Sequence, residues 1–473
     1  MTRPPCLGGS VTRTVEADYL VVGAGATGMA FTDALIDHAD VRVAVVDRRH
    51  NAGGHWLEAY PFVRLHQASA FYGVASTLLG GGRVQQHGPE TGLQERATVS
   101  EICAYYGRIL SDRMLESGKV EFFPSCEYLG GRHFVSRISG QRFEVPQHCR
   151  IVDAHYLAPD IPAEIPPPFG VVDGAKVVPV NDLARLDEAP SQFVIVGSGK
   201  TATDACIWLL GRGVDPDAIC WVRPRDPWML NRAVIQPDPA VFLGMVADTM
   251  QAAEGASSLE DLFLRLEDAG VMVRIDRTVT PTMAKTPTLA TWELDQLRTV
   301  ENVVRLGHVQ HVERGRIILA DGSVAIAEDA LVVHCAASGF TYPPLVPIWG
   351  ASAITLQPIR SGFPCFGAAL AGYVEATRDD DAEKNRLCPP TPYGNTLATW
   401  ATMNVRGALA TMSFGSEPDI KAWGDTVALN PARIPQDYAS ADLDDALSRL
   451  QTHTQSGLAR LVELSGAEPL LAP

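Results

Sequence analysis

The chain has no Cys-x-x-Cys spacing anywhere, although it carries nine cysteines. That absence excludes a vicinal dithiol of the usual redox kind and offers no zinc framework, so no metal is expected. The odd, scattered set reads instead as reduced, mostly buried small residues of a cytoplasmic protein. No apolar run approaches the length of a membrane span, and the stretch before Glu16 is short, polar and proline-bearing, without the apolar centre of a secretion signal. The expectation is a soluble protein with no membrane partner. Basic residues are in deficit, 39 Lys and Arg against 55 Asp and Glu, and the formal charge of −16 disfavours nucleic acid as a partner. Low-complexity sequence is absent too. What is present is a chain of 473 residues, 46% hydrophobic, long enough for two or three domains with substantial cores.

Two glycine-rich loops stand out, each behind a short apolar strand pattern. Gly23-Ala-Gly25-Ala-Thr-Gly28 follows Tyr19-Leu-Val-Val22, and Gly197-Ser198-Gly199-Lys200-Thr201-Ala202 follows Phe193-Val-Ile-Val196. In such a loop the first glycine permits a tight strand-to-helix turn and the second lets backbone approach a pyrophosphate. The third packs helix on strand, and the pyrophosphate rests on the helix N-terminus. In the first unit an amphipathic stretch from Met29 to Ile36 leads to a strand from Val41 to Val46 and then to Asp47. An acid at roughly this 20-residue spacing accepts hydrogen bonds from a ribose diol. In the second unit Ala202 takes the third glycine's place, and the strand Ile219 to Val222 ends in Arg223, with Arg225 close behind. Arginines in place of the ribose-binding acid suit the 2′-phosphate of NADPH, although surface arginines after a strand would give the same pattern.

Proline-rich residues 159–168 read as a crossing between domains. Residues 238–300 read as a helical insertion, with clear helical periodicity from Leu259. Short strands follow from Val303 to Ala325, with tight turns at Arg314-Gly315 and Asp321-Gly322. The apolar strand Ala330 to His334 enters a small-residue turn, Cys335-Ala-Ala-Ser338-Gly339, taken as the return to the first domain. Residues 397–412 and 441–464 read as closing helices. The fold class is α/β, with two Rossmann-like dinucleotide-binding domains plus helical additions. An FAD domain at 1–160 resumes at 329–473, and an NADPH domain at 161–328 is inserted into it.

Between the two loops runs Gly53-Gly54-His55-Trp56, then Tyr60-Pro61-Phe62-Val63-Arg64-Leu65-His66-Gln67 and Ser69-Ala70-Phe71-Tyr72. This stretch, together with both glycine loops, resembles the class B flavoprotein monooxygenases, which comprise flavin-containing, Baeyer–Villiger and N-hydroxylating enzymes. The resemblance covers most of residues 17–340. It implies FAD in the first fold and NADPH in the second, with hydride reducing the flavin and O2 forming a C4a-(hydro)peroxyflavin that oxygenates a small-molecule or natural-product substrate. Carried over, Gly23, Gly25, Gly28 and Asp47 would bind the FAD pyrophosphate and ribose, with Gly54 and Trp56 along the adenine-to-flavin edge. Gly197, Ser198, Gly199, Lys200 and Thr201 would hold the NADPH pyrophosphate, and Arg223 with Arg225 its 2′-phosphate. His66 and Gln67 fall where the family places an Asn or Asp near the flavin, and are the catalytic candidates. An imidazole there could exchange protons near neutral pH, or could merely bond a neighbouring carbonyl.

The chain departs from the family at the linker between domains. Of the fingerprint Phe-x-Gly-x-x-x-His, only Gly174 survives, and Val178 stands in the histidine's place. A flavin oxidoreductase without oxygen insertion, and a nucleotide-binding redox sensor, stay open as alternatives. Asp153 and His155 are left outside the site, and self-association is left open.

Overall fold

The computed structural model describes residues 12–336, 339–340 and 342–467. Most of the leader, residues 1–11, and Ala337 and Ser338 of the small-residue turn lie outside the described residues.

Two five-stranded parallel sheets organise the chain. The first runs Ile354–Thr355, Arg150–Asp153, Tyr19–Val22, Val43–Val46, Val120–Phe123. The second runs Lys176–Pro179, Leu331–His334, Phe193–Val196, Ile219–Val222, Val303–Val304. Their central strands are near-continuous apolar tetrapeptides because parallel strands are covered on both faces. Val43–Val46, Phe193–Val196, Ile219–Val222 and Leu331–His334 are buried at every residue. The strand expected from Val41 begins at Val43.

Each glycine loop joins the middle strand of its sheet to a helix, Ala26–His38 in the first and Lys200–Gly211 in the second. The first helix packs against helix Pro364–Thr377 so closely that a Cβ on Gly372 would lie 2.4 Å from the Phe31 carbonyl oxygen. A glycine is required there, which ties the late part of the chain to the first fold.

The turns expected at Gly315 and Gly322 join three antiparallel strands, Val309–Glu313, Arg316–Leu319 and Gly322–Ala325. The crossing at Pro159–Asp160 forms a two-residue antiparallel pair with Gly339–Phe340, so the outward and return passages run side by side. Residues 238–300 are mixed rather than helical throughout. Helices Pro239–Glu254 and Leu259–Asp268 precede a seven-residue strand, Met283–Leu289, and helix Thr291–Leu297. That strand pairs in parallel with Pro227–Asn231 through a bulge. The closing helices are Leu397–Gly415 and Ala441–Ser465. The latter lies along helix Pro239–Glu254, where a Cβ on Gly457 would stand 2.5 Å from the Met250 carbonyl oxygen. Among the described residues no helix is long and apolar enough to cross a membrane, and no cluster of three His, Cys, Asp or Glu is placed to hold a metal ion.

Candidate functional site

The first glycine loop is built by close backbone approach. Gly23 has φ +109°, and a Cβ on Gly28 would fall 1.9 Å from the Gly23 carbonyl oxygen. Asp47 grips the loop from the next strand: one carboxylate oxygen accepts the Ala24 N–H at 2.7 Å and the other the Arg49 N–H at 2.7 Å. The Gly53-Gly54 turn lies directly over it, since the Gly53 N–H donates to the Ala24 carbonyl at 2.9 Å and a Cβ on Gly54 would meet the Gly25 Cα at 2.7 Å. Gly23, Gly25, Gly28, Asp47 and Gly54 therefore surround one loop. Gly25 caps the helix without a side chain, leaving first-turn N–H groups free to meet an anion. The uncapped helix start would suit a pyrophosphate, and the close backbone packing that presents it leaves no room for a Cβ on Gly28 or Gly54. Trp56 stands behind it as a buried wall, its indole N–H donating to the Tyr72 hydroxyl at 2.6 Å with the rings edge to face.

The second loop repeats the plan. Gly197 has φ +137°, and its Cβ would press the Cys335 carbonyl oxygen at 2.9 Å. The Trp221 indole N–H donates to the Gly197 carbonyl at 2.8 Å. Ala202 is fully buried, as close helix packing demands. Gly199 caps the helix without a side chain, and a Cβ there would meet nothing within 4 Å, so open space lies over the helix start. Ser198, Lys200 and Thr201 are half-buried beside it.

The two arginines after the strand diverge. Arg225 is exposed, whereas Arg223 is 2% exposed, stacks on Trp221 with its guanidinium carbon 4.5 Å from the ring, and faces Asp226 at 3.3 Å. Nε and Nη1 of Arg223 are buried without a hydrogen-bond partner. A residue not singled out from the sequence, Lys285 on strand Met283–Leu289, lies near Arg225. Burial first, and then the Arg225 charge, lower its pKa. Two cations held together in this way favour an anion between them.

The two folds meet through the loop that carries His66. The Tyr60 hydroxyl donates to Asp204 at 2.7 Å, and the other oxygen of Asp204 binds the Lys200 ammonium. Lys200, expected at a phosphate, thus rests against Asp204 on its own helix. Phe62 stacks on Trp208 at 4.7 Å. Gln67 is buried beside His66. His66 is half-buried, its ring Nδ1 is buried without a partner, and desolvation, followed by the charges of Lys200, Arg232 and Arg96, lowers its pKa to about 3. At neutral pH it is an uncharged imidazole, able to give or accept a hydrogen bond but not to act as a cationic acid.

Behind His66 lies a buried ionic quartet. Arg232 bridges Glu90 and Glu293, each at 2.6 Å, and Arg96 binds Glu90 at 2.5 Å. Arg232 Nε also donates to the His66 carbonyl at 3.0 Å, so the quartet fixes the loop's backbone. Burial alone would raise the Glu90 carboxyl, but Arg96 and then Arg232 bring it down to about 2. Glu90, Arg96 and Glu293 were not expected from the sequence. Nothing in the local sequence sets them apart: Glu90 lies in Gly88-Pro89-Glu90-Thr91-Gly92 and Arg96 follows Gln94-Glu95. Asp153 and His155, left out of the site, form an ion pair at 2.6 Å on a half-exposed edge. Val178 sits within the edge strand Lys176–Pro179, paired with Val333.

Comparison with known proteins bears on the fold and the family. Residues 21–73 match a family model described as an NAD(P)-binding Rossmann-like domain. Uncharacterised proteins of Mycobacterium tuberculosis and Mycobacterium bovis are 42% identical over 421 residues, covering 88% of this chain and 78% of theirs. Among solved structures, a polycyclic ketone monooxygenase from the thermophilic fungus Thermothelomyces thermophila superposes with TM-score 0.52 at 13% identity, covering 96% of this chain and 90% of that one.

Proposed function

The chain belongs to one family with these mycobacterial proteins and has the fold of flavin-dependent NAD(P)H oxidoreductases, and on that premise we propose that it is an FAD-dependent, NADPH-using monooxygenase of a small organic substrate. The observation that carries this reading is the pair of open, uncapped helix starts behind two glycine loops, joined through the His66 loop. Bound FAD would supply two-electron redox chemistry and reaction with O2.

The protein's own groups bind and position. First-turn N–H groups of helix Ala26–His38 receive the FAD pyrophosphate, with Asp47 at the ribose. The second loop, with Ser198 and Thr201, receives the NADPH pyrophosphate, and Arg225 with Lys285 takes the 2′-phosphate. Arg223 supports that strand end from beneath. His66 and Gln67 offer uncharged hydrogen-bonding groups at the reacting edge, and Trp56 and Tyr72 exclude water behind it. The domain assignment follows: 1–160 with 329–473 for FAD, and 161–328 for NADPH.

A second reading, a flavin oxidoreductase without oxygen insertion, is favoured by one observation. The family's linker histidine is Val178 here, and that segment is occupied in sheet pairing. Anaerobic reduction of the FAD-loaded protein by NADPH, followed by mixing with O2, separates the two. A lasting absorbance belonging to neither oxidised nor reduced flavin, with an oxygenated product, supports the monooxygenase. Prompt return to oxidised flavin with peroxide released supports the second reading. Absence of reduction by NADPH overturns the monooxygenase reading and the assignment of NADPH to the second fold.

A further inference from the structure

Lys200 opens helix Lys200–Gly211, at the end where the helix dipole repels a cation. That helix has no acid in its first turn and no side-chain cap, so its start offers nothing that offsets the charge. Asp204, one turn further in, offsets it instead. The Lys200 ammonium binds one carboxylate oxygen, and the two side chains are only 14% and 13% exposed. A lysine ahead of its acid along a helix is the less favourable order for such a pair. Glu293, another carboxylate within reach of the Lys200 charge, is already held by Arg232 at 2.6 Å. Over the helix start, at Gly199, the space is open.

The other oxygen of Asp204 is engaged from the opposite fold. It accepts the Tyr60 hydroxyl at 2.7 Å, and Tyr60 begins the stretch of the first fold that runs on to His66. Burial, and then the Asp204 charge, hold the Tyr60 phenol well above its usual range, so it stays a donor throughout the neutral range. Phe62, two residues on, stacks on Trp208 of the same helix with the ring planes 21° apart. One carboxylate therefore joins a cation at the nucleotide loop to a donor on the His66 side.

Resting on the reading of the preceding section, we propose that Asp204 holds the place of a nucleotide phosphate: an incoming pyrophosphate takes Lys200, and the freed carboxylate is then held by Tyr60. Asp204 and Tyr60 are positioning residues that tie nucleotide binding to the grip on the His66 loop. A pyrophosphate over the helix start meets Lys200 together with the first-turn N–H groups, and so satisfies the dipole better than Asp204 does. A half-buried carboxylate that has lost its cation bonds more strongly to the donor that remains. By reciprocity, a Tyr60 contact strengthened by nucleotide binding strengthens nucleotide binding in turn. Asp204 thus opposes binding by competing for Lys200, whereas Tyr60 favours it, and does so through Asp204.

The test uses FAD-loaded enzyme titrated by calorimetry with NADP+ and with NAD+. Asp204→Asn keeps an acceptor for Tyr60 but releases Lys200, and should bind both nucleotides roughly fivefold or more tightly than the wild type. A merely structural role for Asp204 would leave affinity unchanged or lower it. Tyr60→Phe should bind both nucleotides roughly threefold or more weakly, and the same change should have little effect in the Asp204→Asn background. If Asp204→Asn does not fold, Lys200→Met serves as the background, because Tyr60→Phe should be without effect on affinity there too. FAD content and thermal melting on the same preparations report folding. Unchanged or weaker binding by folded Asp204→Asn overturns the proposal, as does an equal loss on Tyr60→Phe in every background. Tightening confined to NADP+ would place Lys200 at the 2′-phosphate and overturn the assignment to the pyrophosphate. Binding without these shifts sinks only this proposal, whereas failure of the wild type to bind either nucleotide sinks the functional reading.

Discussion

Replacing Arg232 by methionine tests whether the quartet behind His66 holds the site together. The side chain is fully buried, donates to Glu90 and Glu293 at 2.6 Å each, and reaches the His66 and Thr288 carbonyls at 3.0 and 3.1 Å. Its removal strands two buried carboxylates beside one remaining arginine, a change that costs about 3–5 kcal/mol. That is a large part of a total stability of roughly 5–15 kcal/mol. The pH dependence follows from the direction of the shifts. In the wild type the Glu90 carboxyl titrates at about 2, below its unfolded value. With an unfolded value of about 4.3, the folded state binds fewer protons, and this group adds on the order of 2–3 kcal/mol that is complete above about pH 4.5 and fades as pH falls toward 2. In Arg232→Met, Glu293 loses the cation bound to it, with Lys200 and Arg96 left, and its pKa and that of Glu90 rise toward their unfolded values, so the variant loses less stability than the wild type as pH falls from about 5 toward 3. Urea unfolding at both pH values should therefore show the deficit narrowing by roughly 1 kcal/mol or more, and Arg232→Met combined with Glu293→Gln should recover part of it at neutral pH. A deficit below about 1 kcal/mol, or one independent of pH, would refute the claim that these charges are mutually dependent.

Other expectations follow from the loops. Gly28→Ala, whose Cβ would stand 1.9 Å from the Gly23 carbonyl oxygen, should lower the melting temperature and abolish FAD retention. Gly25→Ala, whose Cβ meets only Gly54 Cα at 3.6 Å, should fold and lose mainly cofactor affinity, as FAD content and thermal melting would show. Arg225→Ala and Lys285→Ala should each raise the KM for NADPH about tenfold while leaving that for NADH nearly unchanged, because only NADPH carries the 2′-phosphate. With His66 neutral above about pH 3, the rate of anaerobic reduction should show no inflection near pH 6.5 that vanishes in His66→Asn, and such an inflection would contradict its burial.

The glycine loops were legible because their geometry excludes a Cβ at fixed places, as the contacts of Gly28, Gly54 and Gly197 make plain. Asp47 was legible by its distance from the loop, and strands Val309–Glu313 to Gly322–Ala325 by the turn residues between them. Strand Met283–Leu289 was not, since Met-Ala-Lys-Thr-Pro-Thr-Leu neither alternates nor forms an apolar run, and its pairing partner lies far away in sequence. Lys285 was hidden for the same reason. The quartet is drawn from widely separated segments, so no local pattern announces it. Arg223 and Arg225 look equivalent along the chain, yet the strand's end turns one inward and leaves the other in solvent.

The order of strands also sets an order of assembly. Ile354–Thr355 closes the edge of the first sheet against Arg150–Asp153, and helix Pro364–Thr377 covers helix Ala26–His38, yet both lie beyond the entire second sheet in the chain. During synthesis the first fold therefore waits, with an edge strand unpaired and an apolar helix face uncovered, until roughly two hundred further residues have emerged. The second sheet is itself incomplete until Leu331–His334 arrives to fill the place between Lys176–Pro179 and Phe193–Val196. A nascent chain whose first 335 residues had emerged from the ribosome would thus carry a complete second sheet on an unfinished first one, and its exposure to chaperones and proteases is concentrated in that interval.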